Sequence, residues 1–587
     1  MTEIRVIPEN LYIRTRKGEN VRDALYRAGI ELETPCNGGG LCGKCKIRVS
    51  DPESVPETPH RDISDESARD GIRLACRLVP EKDMTIEILS DFHKDEHRIL
   101  EGDRDPAFSE WESGPSGQGT VKRHLAESGH GLRNNPAVAV DCSNGGCTML
   151  YDGQEVTELK AWQAGSNPMG LAIDLGTTTL VVSLIDLETG RELATASSLN
   201  PQIRFGHDVV RRIQKGSDTE GLKELSECVR NGLNRLIEQA CEDSGTDTGK
   251  VLDVVIGGNT TMLQLAAAVD PEPLGRVPFE VGLESGRSYP ASRFGLNIHP
   301  SARVYVPPIA HAYLGADISA GLLVSRRFFE SDGAMLFVDV GTNGEMGLSY
   351  KGQYLMTSTA AGPAFEGMGI SAGMRARIGA VEAVTTDENG SLQVYTIGNA
   401  PPEGICGSGI IDITAALLIL GVIDTTGRMR RPGETEGLCE TVAGRLKEVD
   451  EMPAFHLGGK VYFTQEDVRQ VQLAKSAIRA AIEILLQEAG AALGGLERIV
   501  LAGGFGYSLR AGSLEIIGML PSGTAEKVYF AGNTSRIGCV RMLRSVSSRR
   551  FLEEKMASVR HVCIETRPDF MEQYVSAMEF PEPEKKC

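Results

Sequence analysis

Short alternations of apolar and polar residues open the chain. Ile4-Arg5-Val6-Ile7 and Leu11-Tyr12-Ile13-Arg14 predict two strands around a Pro8-Glu9-Asn10 turn. Between Asn20 and Gly29 the period changes. Val21, Ala24, Leu25 and Ala28 share one face, which predicts a helix that Gly29 stops. Lys46-Ile47-Arg48-Val49 and Met84-Thr85-Ile86-Glu87-Ile88 predict further strands, and strand–turn–strand–helix–loop–strand is the order of a β-grasp fold over residues 1–92. Across 93–135 the pattern disappears. The charged D-F-H-K-D-E-H-R gives way to S-G-P-S-G-Q-G, which is too polar to bury a core and predicts a flexible linker. Strand character returns within 136–168, in A-V-A-V-D and C-T-M-L-Y, with a turn at Asp152-Gly153. That segment is too short to fold alone and is expected to dock on the α/β region C-terminal to it.

From Gly170 onward the pattern is α/β. L-A-I-D-L-G-T-T-T-L-V-V-S-L-I-D predicts a strand, a tight Gly/Thr turn and a second strand. An amphipathic helix is expected over Leu222 to Ala240, a buried strand over Val251 to Ile256 ending in G-G-N-T-T-M, and a helix over Ala310 to Leu323. M-L-F-V-D-V-G-T-N-G-E-M-G-L then repeats the strand–turn–strand unit about 165 residues after the first copy, marking an internal duplication. A helix over Thr464 to Ala489, with Thr464 as its N-cap, precedes the buried strand R-I-V-L-A, which runs into Gly503 and Gly504. The repeat divides the remainder into 169–330 and 331–587.

At 587 residues the chain exceeds one hydrophobic core and implies several domains. A net charge of −19, from 61 basic and 80 acidic residues, argues against non-specific binding to nucleic acid or a membrane surface. Aromatic residues are 5% of the chain, with two tryptophans, which offers no base-stacking platform. No apolar run has the length of a membrane span, and the first ten residues hold no apolar signal region, so a cytoplasmic protein is expected.

The candidate chemistry begins with cysteine. Cys36, Cys42 and Cys45 lie in P-C-N-G-G-G-L-C-G-K-C-K, and Cys76 comes later in L-A-C-R. Four thiolates in this order match the ligand set of a [2Fe–2S] cluster. The intervening glycines suit a loop whose backbone must approach sulfur closely and take positive φ. Structural zinc is the competing reading, but zinc sites favour two short Cys pairs, whereas here three cysteines crowd one loop. The other nine cysteines read as thiols rather than a disulfide framework. Cys142 and Cys147, in D-C-S-N-G-G-C, read as a turn between strands, with a redox or second metal role as the alternative.

The second chemistry is phosphate binding. Each D-x-G-T turn points backbone N–H groups and hydroxyls into a small concavity suited to an anion. Asp174 and Asp339 stand at strand ends where a carboxylate can hold Mg²⁺ or its water. Gly176, Thr177 and Thr178 in one turn, and Gly341, Thr342 and Asn343 in the other, are the candidate phosphate cradle. Gly503 and Gly504 would let an adenosine approach the backbone. Glu345 and Asp317 are further candidates for ordering water, with salt-bridge or capping roles as the alternative. A P-loop, G-x-x-x-x-G-K-[ST], is not evident.

These motifs resemble known families. The first ninety residues resemble the [2Fe–2S] ferredoxins. D-L-G-T-T-T, D-V-G-T-N-G-E, L-A-G-G-F-G and A-G-N-T-S-R-I-G-C resemble the two phosphate motifs, the adenosine motif and a connecting helix of the acetate kinase/sugar kinase/Hsp70/actin ATPases. N-P-Q-I-R-F-G-H-D-V-V-R-R-I, A-G-P-A-F-E-G, G-I-C-G-S-G-I-I-D and L-A-K-S-A-I-R-A extend the likeness to the reductive activators of corrinoid proteins. The resemblance implies an N-terminal [2Fe–2S] domain, a linker and a duplicated actin-like ATPase in two lobes. It implies ATP, Mg²⁺, an external low-potential electron donor, a corrinoid partner from a methyltransferase system and a possible homodimer. The reaction implied is reduction of inactive Co(II) to Co(I). A climb of roughly 200 mV from a cluster near about −400 mV would cost about 5 kcal/mol, within reach of contacts biased by a nucleotide. Three other readings stay open on sequence alone: an activator of another reductase or dehydratase, a small-molecule kinase with a redox sensor, and a module that uses ATP only to change shape.

Overall fold

The computed structural model describes residues 2–7, 11–16, 18–27, 32, 45–52, 55–56, 63, 65–89, 135–143, 146–159, 162–206, 208–386, 390–503 and 509–582. Cys36, Cys42, Gly504 and the expected linker up to residue 134 lie outside these. The chain forms two compact units, one taking in 1–97 and 201–215, the other 98–200 and 216–587.

The first unit carries a five-stranded sheet. Its elements are β1 (Glu3–Ile7), β2 (Leu11–Arg14), α1 (Val21–Arg27), β3 (Lys46–Val49), α2 (Asp65–Arg69), β4 (Ile72–Leu74) and β5 (Met84–Ile88), with strand order β2-β1-β5-β3-β4. β1 runs antiparallel to β2 and parallel to β5, the mixed pairing of a β-grasp fold. The predicted alternation sets the core. Ile4 and Val6 point inward and are fully buried with Val21, Ala24, Leu25, Ile47 and Ile86, while Arg5 points out. α2 and β4, at five and three residues, are too short for periodicity to have marked them.

The second unit begins with a three-stranded meander, β6 (Val138–Asp141), β7 (Thr148–Tyr151) and β8 (Gln154–Glu158). It docks as expected: Val138, Met149 and Leu159 share one buried cluster with Ala172, Leu252 and Met542. One expectation is corrected here. Cys142 and Cys147 form a disulfide rather than a pair of thiols. The register explains it, because Asp141 faces Thr148 across the hairpin and so sets the next two residues opposite each other, with Cα atoms 4.1 Å apart.

Two six-stranded sheets form the main framework of this unit, which also holds two further three-stranded sheets within 380–464. The first contains β9 (Met169–Leu175), β10 (Thr179–Asp186), β11 (Glu192–Leu199), β12 (Val251–Gly258), β13 (Arg287–Pro290) and β14 (Arg303–Val306), in the order β11-β10-β9-β12-β14-β13. Its helices include α3 (Thr219–Ser244), α4 (Thr260–Ala266) and α5 (Ala316–Leu322). The second contains β15 (Ala334–Val340), β16 (Gly344–Tyr350), β17 (Gln353–Thr359), β18 (Leu496–Ala502), β19 (Val528–Gly532) and β20 (Val559–His561), in the order β19-β18-β15-β16-β17-β20. Its helices include α6 (Gly407–Ile419), α7 (Gln465–Ala489), α8 (Thr534–Arg544) and α9 (Val546–Met556). Both sheets share the run third, second, first, fourth, with the first and fourth parallel. The duplication read from two D-x-G-T turns is therefore a duplication of the whole layer.

Local chemistry sets the helix ends. α3 starts where the Asp218 carboxylate accepts from the Gly221 N–H at 2.7 Å and stops at Gly245, whose φ of 67° suits glycine. Thr464 caps α7 as expected, in a reciprocal box with Asp467. α5 is shorter than the predicted 310–323. His311 and Leu314 first close a turn, and Gly315 then caps the helix where an added Cβ would lie 2.5 Å from the Asn259 Cα.

α8 and α9 return from the second sheet to the first. α8 packs on β9 and β12 and crosses α5. At the crossing a Cβ on Gly538 would lie 2.0 Å from the Ala320 carbonyl oxygen. α9 is held by a buried ion pair, Arg549 to Asp253 on β12, at 2.5 Å. Asn135 straps the junction between them, donating its N–H to the Arg544 carbonyl and accepting from Val546. No helix among the described residues is long and apolar enough to cross a membrane.

Candidate functional site

Two sites emerge, one in each unit. In the first unit Cys45 precedes β3 and Cys76 comes just after β4. The Ala75 N–H donates to the Cys45 carbonyl at 2.9 Å, so sheet pairing sets the two cysteines side by side, 1% and 8% exposed. Thiols brought together at one end of a β-grasp sheet fit a [2Fe–2S] cluster as donors. Cys36 and Cys42, the other two predicted ligands, lie outside the described residues.

In the second unit each D-x-G-T turn tips a hairpin. Gly176 donates to the Thr179 carbonyl at 2.9 Å and closes the β9–β10 turn, leaving Thr177 and Thr178 partly exposed. Gly341 donates to the Asn343 carbonyl at 3.0 Å and closes the β15–β16 turn, with Thr342 at its tip. Asp174 and Asp339 are each the last residue but one of their strand, so the duplication places them equivalently. Glu345 is the cross-strand partner of Asp339, and Asp317 lies in the first turn of α5. Gly503 has φ of 116° and stands against the second turn, where a Cβ would be 2.5 Å from the Val340 carbonyl and 3.3 Å from an Asp339 carboxylate oxygen. Gly176, Thr177 and Thr178 thus gather with Asp174, and Gly341, Thr342, Asn343, Gly503 and Glu345 with Asp339; Gly504 lies outside the described residues.

The four carboxylates sense one another. Burial, then the charges of Asp317 and Asp174, push Asp339 up to about 7. Asp317 is raised by burial and further by Asp174. Glu345 is raised well above its ordinary value by burial, Asp317 and Asp339, against a counter-pull from Asn343. Asp174 is raised by burial although Asn533 and Arg536 draw it down. Converging carboxylates that resist ionising together are relieved by a cation. Among the described residues no three His, Cys, Asp or Glu side chains lie close enough to hold a metal alone.

Sequence reasoning missed three side chains. Asn259 caps α4 with its carbonyl oxygen and donates its amide to the Thr177 hydroxyl at 2.8 Å. Asn533 caps α8 in the same way and donates its amide to Asp174 at 2.8 Å. Glu366 accepts from the Thr342 hydroxyl at 2.8 Å. The signal for the first two was in the sequence: G-G-N-T-T and A-G-N-T-S both place Asn after a strand-ending glycine. Each such Asn spends one end on its helix and the other on the first D-x-G-T hairpin.

Comparison with known proteins respects the same division. Residues 333–587 match the family model described as the C-terminal domain of RACo, the ASKHA domain; 169–327 match the RACo middle region; 4–81 match a 2Fe-2S iron-sulfur cluster binding domain. The corrinoid activation enzyme RamQ of Eubacterium limosum is 35% identical over 418 residues, 69% of each chain. A [Co(II) methylated amine-specific corrinoid protein] reductase of Methanosarcina barkeri is 28% identical over 396 residues, 62% of this chain and 68% of its own. The solved structure of a reductive activator for corrinoid, iron-sulfur protein aligns with a TM-score of 0.66 at 29% identity, covering 99% of this chain and 98% of that one. The β-grasp sheet, the duplicated ATPase layer and these matches agree: the chain belongs to the RACo family of reductive activators, which join a 2Fe-2S domain to an ASKHA ATPase domain.

Proposed function

We propose that the protein reactivates a corrinoid protein of a methyltransferase system, reducing inactive Co(II) to Co(I) with ATP as the driving force. The observation that carries this reading is the union in one chain of a ferredoxin sheet, with Cys45 and Cys76 buried side by side, and a duplicated ATPase with two D-x-G-T hairpins. A [2Fe–2S] cluster supplies one-electron transfer at low potential.

Each residue has its part. Cys36, Cys42, Cys45 and Cys76 hold the cluster. Gly176, Thr177, Thr178, Gly341, Thr342 and Asn343 hold the phosphates, and Gly503 and Gly504 line the adenosine. Asp174 and Asp339 hold Mg²⁺ and its water. Glu345, opposite Asp339 and raised well above the ordinary carboxyl range by burial, Asp317 and Asp339, would order that water. Asn533 links Asp174 to the start of α8, so a change of charge at the phosphates pulls on the helix that crosses α5. The domains run 1–92, 93–135, 136–168, 169–330 and 331–587, the second a tether. The protein works in the cytoplasm with an external low-potential electron donor, and as a homodimer.

The test mixes the protein with a corrinoid protein poised in Co(II), a reductant and Mg·ATP, and tracks Co(II) loss and Co(I) gain by absorbance. Co(I) should accumulate with ATP and not without it. Failure with corrinoid proteins from several methyltransferase systems overturns the reading.

A further inference from the structure

Two motifs singled out in the sequence, A-G-P-A-F-E-G at 361–367 and G-I-C-G-S-G-I-I-D at 404–412, have been given no function so far. The fold joins them. Phe365 is fully buried, and its carbonyl oxygen approaches so near that a Cβ on Gly407 would lie 1.9 Å from it. A Cβ on Gly409 would lie 2.1 Å from the Val381 carbonyl oxygen. These two glycines at the start of α6 make a seat that only a bare backbone fits. The loop is pinned at its other end as well: Gly362 donates to the Thr342 carbonyl at 3.0 Å. Gly367 has φ of 78°, and a Cβ there would lie 2.8 Å from the Met374 carbonyl oxygen. Glu366 sits between these anchors, and its carboxylate is delivered to one place. It accepts from the Thr342 hydroxyl at 2.8 Å and lies 3.9 Å from where a Gly341 Cβ would stand.

A threonine hydroxyl has one hydrogen and two lone pairs. Once the hydrogen is spent on Glu366, the Thr342 oxygen can only accept. A phosphate oxygen is also an acceptor, so the hydroxyl takes its part in the phosphate cradle only through a cation or its water. A cation or its water meets what the Thr342 oxygen offers. We propose that Glu366 is a positioning residue of the ATPase site: it fixes the Thr342 hydroxyl as an acceptor for Mg²⁺ or a Mg²⁺-bound water. This rests on the reading of the D-V-G-T-N-G turn as part of the nucleotide site.

The experiment measures affinity of the full-length protein for ATP with excess Mg²⁺ and with EDTA, by calorimetry. Glu366→Ala and Thr342→Val should each weaken Mg·ATP binding about fivefold to tenfold, the worth of one hydrogen bond, and weaken Mg²⁺-free ATP binding clearly less. The double variant should be no weaker than either single variant. Glu366→Gln keeps a carbonyl acceptor and should recover most of the affinity. Equal losses with and without Mg²⁺ would put Thr342 on the phosphate and overturn the proposal. So would additive losses, or a Glu366→Ala protein that binds Mg·ATP like the parent while Thr342→Val does not. If Glu366→Ala fails to fold, Thr342→Val alone still decides whether the hydroxyl acts through Mg²⁺. The underlying site reading fails differently: Asp339→Ala, Thr342→Val and Glu366→Ala would then all bind nucleotide like the parent.

Discussion

Lys475 has no exposed surface, and its ammonium donates to the Glu579 carbonyl at 2.6 Å beside the Phe580 ring. Burial, with Arg479 nearby, pulls it down from 10.5 to about 7, against an opposing pull from Glu579. An unfolded lysine keeps its proton to the ordinary value. Between the two values the unfolded chain binds more protons, so this residue makes stability rise as pH climbs from 7 toward 10, and fall on the way back. Lys475→Met keeps the length and removes the charge. Its melting temperature should therefore depend less on pH than the parent's. The parent should gain on it between about pH 7 and 9.5, by about 1 °C per kcal/mol for a unit of this size. Parallel melting curves across that range would show that Lys475 keeps its proton in the fold. At this scale the sequence was legible where chemistry is local. Asp174 and Asp339 announce themselves because each ends a strand before a Gly/Thr turn. Asn259 and Asn533 announce only their place after a strand-ending glycine, and Glu366 not even that, since the residues they bond lie 82, 359 and 24 positions away.

Elements were legible where their ends are set by neighbours in the chain. Thr464 and Asp467 mark the start of α7 by themselves. The start of α5 was misread because it depends on Gly315 meeting Asn259, a contact no periodicity encodes. The crossing of α5 and α8 depends in the same way on Gly538, and it carries a prediction against intrinsic propensity. In a free helix, Gly→Ala stabilises by about 1 kcal/mol. At Gly538 the new methyl would press to 2.0 Å from the Ala320 carbonyl oxygen and force the helices apart. Gly538→Ala should therefore lower the melting temperature and, because Asn533 leads this helix to Asp174, also weaken ATP hydrolysis. Gly512 is the matched control. It also lies in a helix, Ala511–Ile516, and has nothing within 4 Å of a built Cβ. Gly512→Ala should be neutral or stabilising. Similar losses from both variants would mean that the crossing is not held by close approach.

For the whole molecule, the two D-x-G-T turns foretold a duplicated layer, and the four cysteines foretold a ferredoxin sheet. What the pattern did not carry is the return of α8 and α9 to the first sheet, fixed by partners such as Arg549 and Asp253, 296 residues apart. The ferredoxin sheet and the two six-stranded sheets fall in separate compact units, each with its own core, so either half-activity should be lost while the other is kept. Cys76→Ser removes a thiol from the proposed cluster set and leaves the sequence of both D-x-G-T turns unchanged. It should lose the visible absorption of the cluster and the reduction of Co(II), while binding and hydrolysing ATP like the parent. Asp339→Ala removes one of the four converging carboxylates and leaves the ferredoxin sheet intact. It should keep a cluster that dithionite reduces, lose most ATP hydrolysis, and lose ATP-driven Co(I) formation with it. Retained Co(I) formation in Asp339→Ala would mean that the electron needs no ATP at this site. Retained formation in Cys76→Ser would mean that it does not pass through this cluster. Only loss in both, each with its other half-activity preserved, fits a protein in which the nucleotide drives an electron that the ferredoxin unit delivers.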